Sequence, residues 1–238
     1  MNFTIFKTVV CLFLWSFITS PILVRANECA AQSKCIFVIG NSITQHGPSP
    51  EISWTGNWGM AATSSDNDYV SQVLKLLKKN SGHDLWTADR QSSNVLETTP
   101  EKFTLSYSSV KLSQKADIVI VALGDNFTPN SNNLATFSSA YLKTLFSLRP
   151  IKGVLVCVGT WWSSAVKDKI IQDSCLSAGG TYVDITGLSK SPDNVAGNQQ
   201  SISNKGVAAH PGDLGMAAIA ERIFKSIQRQ LIDSKLIQ

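Results

Sequence analysis

The chain has 238 residues, 43% of them hydrophobic, which is enough for one sizeable core and short for two independent enzymatic domains. Its 21 basic residues against 17 acidic ones give a net charge of +4, which falls by two, to +2, if Lys7 and Arg25 leave with an N-terminal leader. No concentrated basic face accompanies that near-balance: clusters such as Lys75, Lys78 and Lys79 read as the wet side of a helix, which argues against nucleic acid as a partner.

At the N-terminus, Lys7 precedes the apolar run TVVCLFLWSFITSPILV, and Val24-Arg25-Ala26 then offers compact residues of the kind a signal peptidase reads. Residues 1–26 are therefore expected to be a signal peptide, and residues 27–238 a single domain that is secreted or periplasmic and has no membrane partner after cleavage. A retained anchor is the competing reading. Of five cysteines, Cys11 lies in the leader, so four would remain in an oxidising compartment. The preferred pairing is Cys29–Cys35 with Cys157–Cys175, although Cys157 also fits a small apolar residue in a buried strand. The spacings are not those of a zinc site, and neither metal nor cofactor is expected.

Beyond the leader lie four short runs rich in Val and Ile: Cys35–Gly40, Ala116–Leu123, Gly153–Gly159 and Thr181–Thr186. Each is apolar on both faces, as strands buried between two helical layers are. Leu85–Asp89 is a weaker candidate for a fifth. Between and after them, the segments beginning near Asp68, Asn133, Ala165 and Asp213 place apolar residues three and four apart, the helical period. Strands alternating with helices imply right-handed crossovers, and so a three-layer α/β/α sandwich with a central parallel sheet, flavodoxin-like in outline. In such sheets the active site lies beyond the carboxyl ends of the strands. The polar stretch from Ser189 to Lys205 is expected to be a surface loop and not a domain linker, because the chain beyond Lys205 is too short to fold alone.

Three strand-end features carry the chemistry. Gly40-Asn41-Ser42 presents a hydroxyl at a sharp turn, where Ser42 can be a nucleophile or an ordinary turn residue. Gly124-Asp125-Asn126 offers a side-chain amide able to donate to a developing oxyanion. His210-Pro211-Gly212-Asp213 stands just before the final helix and is better placed than the other two histidines: His83 lies in a polar turn, and His46 in the loop after Ser42. Together the three outweigh any one of them.

These segments resemble the blocks of the SGNH (GDSL-like) hydrolases. Gly40-Asn41-Ser42 is similar to the first block, Gly124-Asp125-Asn126 to the third and His210 through Met216 to the fifth, in the family's order and across the whole mature chain. The resemblance implies a serine esterase with Ser42 as nucleophile, His210 as general base, and an oxyanion hole formed by Asn126 and the Ser42 backbone N–H. Two positions depart from the pattern. Where the family's acid stands, three residues before the histidine, this chain has Val207. A backbone carbonyl then orients His210 in a Ser-His dyad, which is the expectation, or a distant acid does so, or the site is inactive. The second-block glycine is also missing from Asp89 to Asn94, where a backbone N–H or the charge of Arg90 could substitute.

Trp54, Trp58, Trp161 and Trp162 fall near the expected mouth of the site. Indole faces stack on sugar rings, so a small-molecule or glycan ester, in particular an acetylated carbohydrate, is the expected substrate; packing of the loops is the alternative use of these side chains. A non-catalytic carbohydrate-binding protein and an O-acyltransferase are the competing functional readings. Asn126-Phe127-Thr128 is formally a glycosylation sequon whose modification would block the site, which favours a bacterial source.

Overall fold

The computed structural model describes residues 34–82 and 84–238; the leader, the Cys29–Cys35 pairing and His83 lie outside them. Five strands form one parallel sheet: β1 (Lys34–Gly40), β2 (Trp86–Ser92), β3 (Ile118–Ala122), β4 (Val154–Val158) and β5 (Thr181–Val183), in the order β2-β1-β3-β4-β5. The chain steps from β1 outward to β2, then crosses back to β3 on the other side of β1. That reversal opens a crevice at the carboxyl ends of β1 and β3.

Strand alternation divides the core in two. Ile36, Val38, Ile118, Ile120, Val156 and Val158 face one layer, made by α1 (Tyr69–Ser81) and the C-terminal helix. Cys35, Phe37, Ile39, Val119, Val121, Leu155 and Cys157 face the other, containing α3 (Tyr107–Lys115), α4 (Leu134–Leu148) and α5 (Ala165–Ser177). The short α2 (Val95–Thr98) follows β2, and α6 (Lys205–Ala208) precedes α7 (Asp213–Asp233). The three-layer α/β/α sandwich expected from the hydrophobic pattern is the observed fold.

Local chemistry sets several element ends. Asp68 caps α1 by accepting from the Ser71 N–H at 2.8 Å, and Gly82 ends that helix in the left-handed conformation at φ 72°. Cys157 on β4 and Cys175 on α5 form a disulfide with a Cα–Cα distance of 6.0 Å, as expected for that pair. Among the described residues, no helix is long and apolar enough to cross a membrane.

The stretch from 189 to 205 differs from a plain surface loop. It winds through short 3-10 turns, and Ala196 is fully buried. The Ala196 N–H donates to the His210 carbonyl at 3.0 Å and the Gly212 N–H to the Asn194 carbonyl at 2.9 Å. Polar composition hid a segment that holds the histidine loop by its backbone.

Candidate active site

The turn after β1 is as tight as its sequence suggests. A Cβ at Gly40 would stand 1.8 Å from the Thr44 hydroxyl oxygen, so only glycine lets the chain fold back there. Asn41 closes the turn, its carbonyl accepting from Thr44 N–H and its side-chain oxygen from Ile43 N–H, each at 3.0 Å. Ser42 is left at the rim with its carbonyl fixed by the Met60 N–H.

His210 reaches that serine across 168 residues of sequence: its Nε2 lies 2.9 Å from the Ser42 Oγ. On the far side of the ring, Nδ1 lies 2.8 Å from the Gly206 carbonyl oxygen. A carbonyl only accepts, so Nδ1 carries the proton and Nε2 is free to accept from the serine hydroxyl. Burial holds the imidazole below its usual pKa of 6.5, opposed by the Gly206 hydrogen bond and reinforced by the nearby His46. Trp162 packs edge to face with the ring, centroids 5.0 Å apart at 86°.

Val207 shows why no acid sits at the customary place. It is 5% exposed and packs with Met60, Ala61 and Ala196 in a small apolar cluster joining the loop after β1 to the loop carrying His210. An unpaired carboxylate there would be desolvated among hydrocarbon. The single turn of α6 instead brings the Gly206 carbonyl, four residues before the histidine, onto Nδ1.

Asn126 follows β3, as expected, but its amide is not idle. Its Nδ2 donates to Glu97 Oε2 at 2.6 Å. Glu97, on α2, is 2% exposed and was not recognisable as a site residue from sequence, since Val95-Leu96-Glu97-Thr98 reads like any short amphipathic turn. Beside it Asp125 accepts from the Trp162 N–H at 3.1 Å and stands 3.4 Å from Asn41 Nδ2. Burial pushes the Asp125 carboxyl up to about 6, helped by the charge of Glu97.

The segment expected to replace the second-block glycine is placed differently. The Arg90 guanidinium is taken up by the buried Asp68 and by Ser71 Oγ, on the α1 side of the sheet, and so is not the substitute for the missing glycine. In that segment the Ser93 N–H is also committed, to the Gly40 carbonyl.

The tryptophans divide. Trp161 is 1% exposed, a core residue whose indole N–H donates to the Ala209 carbonyl at 3.0 Å; it braces the histidine loop and offers no face to a ligand. Trp162 is half-buried beside His210. Trp54 and Trp58 are half-buried on the loop between residues 46 and 58, edge to face with centroids 5.6 Å apart. Their indole N–H groups donate to the His46 and Ala62 carbonyls, so only ring surface is left for a partner. Among the described residues, no cluster of His, Cys, Asp and Glu is arranged to hold a metal.

No protein-family model matches the sequence, and neither does any curated protein sequence. Solved structures do match the fold. TesA superposes with a TM-score of 0.55 at 12% identity, covering 82% of this chain and 99% of its own. A protein of Bacteroides uniformis assigned as a GDSL-like lipase gives 0.53 at 16% identity, covering 83% and 96%. The esterase EstA from a Pseudoalteromonas species gives 0.50 at 10%, covering 84% and 100%. At identities of 10–16% these likenesses show the fold: over more than four-fifths of its length the chain shares the three-layer architecture of these solved structures.

Proposed function

We propose that this protein is a serine ester hydrolase working through an acyl-enzyme on Ser42 with a Ser-His dyad. The observation that carries the reading is the aligned chain Ser42 Oγ, His210 Nε2, His210 Nδ1, Gly206 carbonyl, with links of 2.9 and 2.8 Å. His210 takes the serine proton as Oγ attacks the ester carbonyl, and the C=O pair moves onto oxygen as an oxyanion. The Ser42 N–H and the Asn126 amide donate to that oxyanion. Collapse expels the alcohol, protonated by His210, and water attacks the acyl-enzyme with the same base to release the acid.

A backbone carbonyl orients the imidazole but brings no full charge to the imidazolium formed in the transition state, so turnover should be modest for this class. Acetyl esters on a carbohydrate are the proposed substrates: Trp162 packs against His210, Trp54 and Trp58 stand on the loop that follows Ser42, and with the indole N–H groups of that pair committed, stacking is the use left to their rings. The buried Cys157–Cys175 disulfide suits an oxidising compartment, which supports a secreted or periplasmic location.

Hydrolysis of p-nitrophenyl acetate and of acetylated oligosaccharides by the wild type and by Ser42→Ala tests the proposal. The variant should lose turnover on both while binding deacetylated oligosaccharide as before. Full activity in Ser42→Ala would remove the assignment, and sugar binding without hydrolysis in the wild type would favour a binding protein.

A further inference from the structure

Glu97 collects N–H donors from two segments of the site, the turns after β1 and β3. Its Oε1 accepts from Asn41 Nδ2 at 3.0 Å, from the Gly124 N–H and from the Asn126 N–H at 3.3 Å; its Oε2 accepts from Asn126 Nδ2 at 2.6 Å. At 2% exposure these protein groups replace its water. The set contains donors only, which a carboxylate satisfies with both oxygens and a side-chain amide cannot.

The Asn126 contact bears on catalysis. A primary amide is nearly symmetric in shape, so packing alone scarcely distinguishes its oxygen from its nitrogen, and a flipped Asn126 would turn a carbonyl oxygen toward the developing oxyanion. A carboxylate on one N–H fixes the amide plane and identifies the nitrogen end, leaving the second N–H to donate. The same carboxylate holds the Gly124 and Asn126 backbone on which that side chain stands. Gly124 adopts φ +139°, and a Cβ there would lie 2.6 Å from Ile171 Cδ1, so the turn has little freedom to find another pose. Through Asn41, whose carbonyl and side chain close the turn presenting Ser42, Glu97 also ties the nucleophile's loop to the oxyanion donor's.

We propose that Glu97 is a positioning residue for the oxyanion hole: by binding one N–H of Asn126 and the backbone beneath it, the buried carboxylate keeps the amide turned donor-outward. This rests on the esterase reading, with Asn126 as an oxyanion donor. It does not touch substrate; it acts through Asn126.

The test is a double-mutant cycle on p-nitrophenyl acetate hydrolysis. Glu97→Gln sets an NH2 group against one of the donors, and kcat should fall on the order of ten- to a hundredfold with KM within about twofold, because the amide works on the transition state. In an Asn126→Ala background the same substitution should cost a clearly smaller factor, about a few-fold at most, because only the ties to Asn41 and to the backbone of residues 124 and 126 remain to be disturbed. A loss of equal factor in both backgrounds, or unchanged kcat in the single variant, would overturn the inference. Glu97→Asp should recover part of the loss.

A measurement on the wild type guards against variants that fail to fold, and against failure of the esterase reading itself. In a nitrogen-15 proton spectrum the two Asn126 amide protons should be inequivalent, one shifted downfield and protected from exchange by Glu97. Two alike, fast-exchanging protons would contradict the anchor whether or not the protein hydrolyses esters. An anchored amide in a protein without esterase activity would instead remove the catalytic reading, and the proposal with it.

Discussion

The two halves of the site solve opposite electrostatic problems. At the histidine end there is no carboxylate: Val207 fills the usual acid position with hydrocarbon and the Gly206 carbonyl orients the ring. At the oxyanion end two partly or fully buried carboxylates, Glu97 and Asp125, stand behind the amide expected to stabilise negative charge. Negative charge has left the place where it would stabilise an imidazolium and sits where it opposes an oxyanion. What the oxyanion end gains is rigidity, because Glu97 and Asp125 bind Asn41, Gly124, Asn126 and Trp162 from three different loops. Positioning at one end therefore comes from backbone and at the other from buried acids.

Removing the base should have the largest effect. His210→Ala should lower kcat/KM on the order of a hundredfold to ten-thousandfold, measured with p-nitrophenyl acetate, with the fold retained by circular dichroism. Asn126→Ala should cost about a hundredfold to a thousandfold, mainly in kcat, since one oxyanion donor is lost.

The pH dependence sharpens the contrast further. In the proposed dyad neutral His210 is the base and burial lowers its pKa, so the acid limb of kcat/KM should lie below pH 6.5. Val207→Asp, which puts a buried acid three residues before His210, should move that limb upward and lower thermal stability. A limb at or above pH 6.5 in the wild type would contradict the buried, carboxylate-free environment.

Asp125 should act on stability with its own sign. Its folded pKa of about 6 exceeds the value of 3.8 taken for the free side chain, so the folded protein keeps a proton that the unfolded chain has released. The stabilisation is present below about pH 4 and is lost as pH rises through 6, a change of roughly 1 to 3 kcal/mol. Thermal melts across that window should show the slope in the wild type and lose it in Asp125→Asn.

The sheet and its covering helices were legible because each element follows a single period. Ile36 and Val38 against Phe37 and Ile39 announce a strand buried on both faces, and the i, i+3, i+4 spacing of α1 announces its helix. Strand β2 was fainter because it lies at the sheet edge and carries Asp89, Arg90 and Gln91. Ser42, Asn126 and His210 were legible because glycine-bearing turns after β1 and β3, and a histidine before α7, mark strand and helix ends.

Glu97 was not legible, since a buried acid in a one-turn helix is defined by the donors around it, which come from residues 41, 124 and 126. Adjacent tryptophans likewise gave no sign that Trp161 packs inward while Trp162 faces the histidine. The role of Gly206 is a property of backbone direction in α6 and leaves no mark on residue type.

The most direct test of the dyad is covalent labelling with a fluorophosphonate, followed by mass mapping of the modified peptide. Ser42 should carry the adduct in the wild type at neutral pH and lose most of it in His210→Ala, because the free hydroxyl is a weak nucleophile without its base. An unlabelled Ser42 in the wild type, or equal labelling with and without His210, would contradict the account.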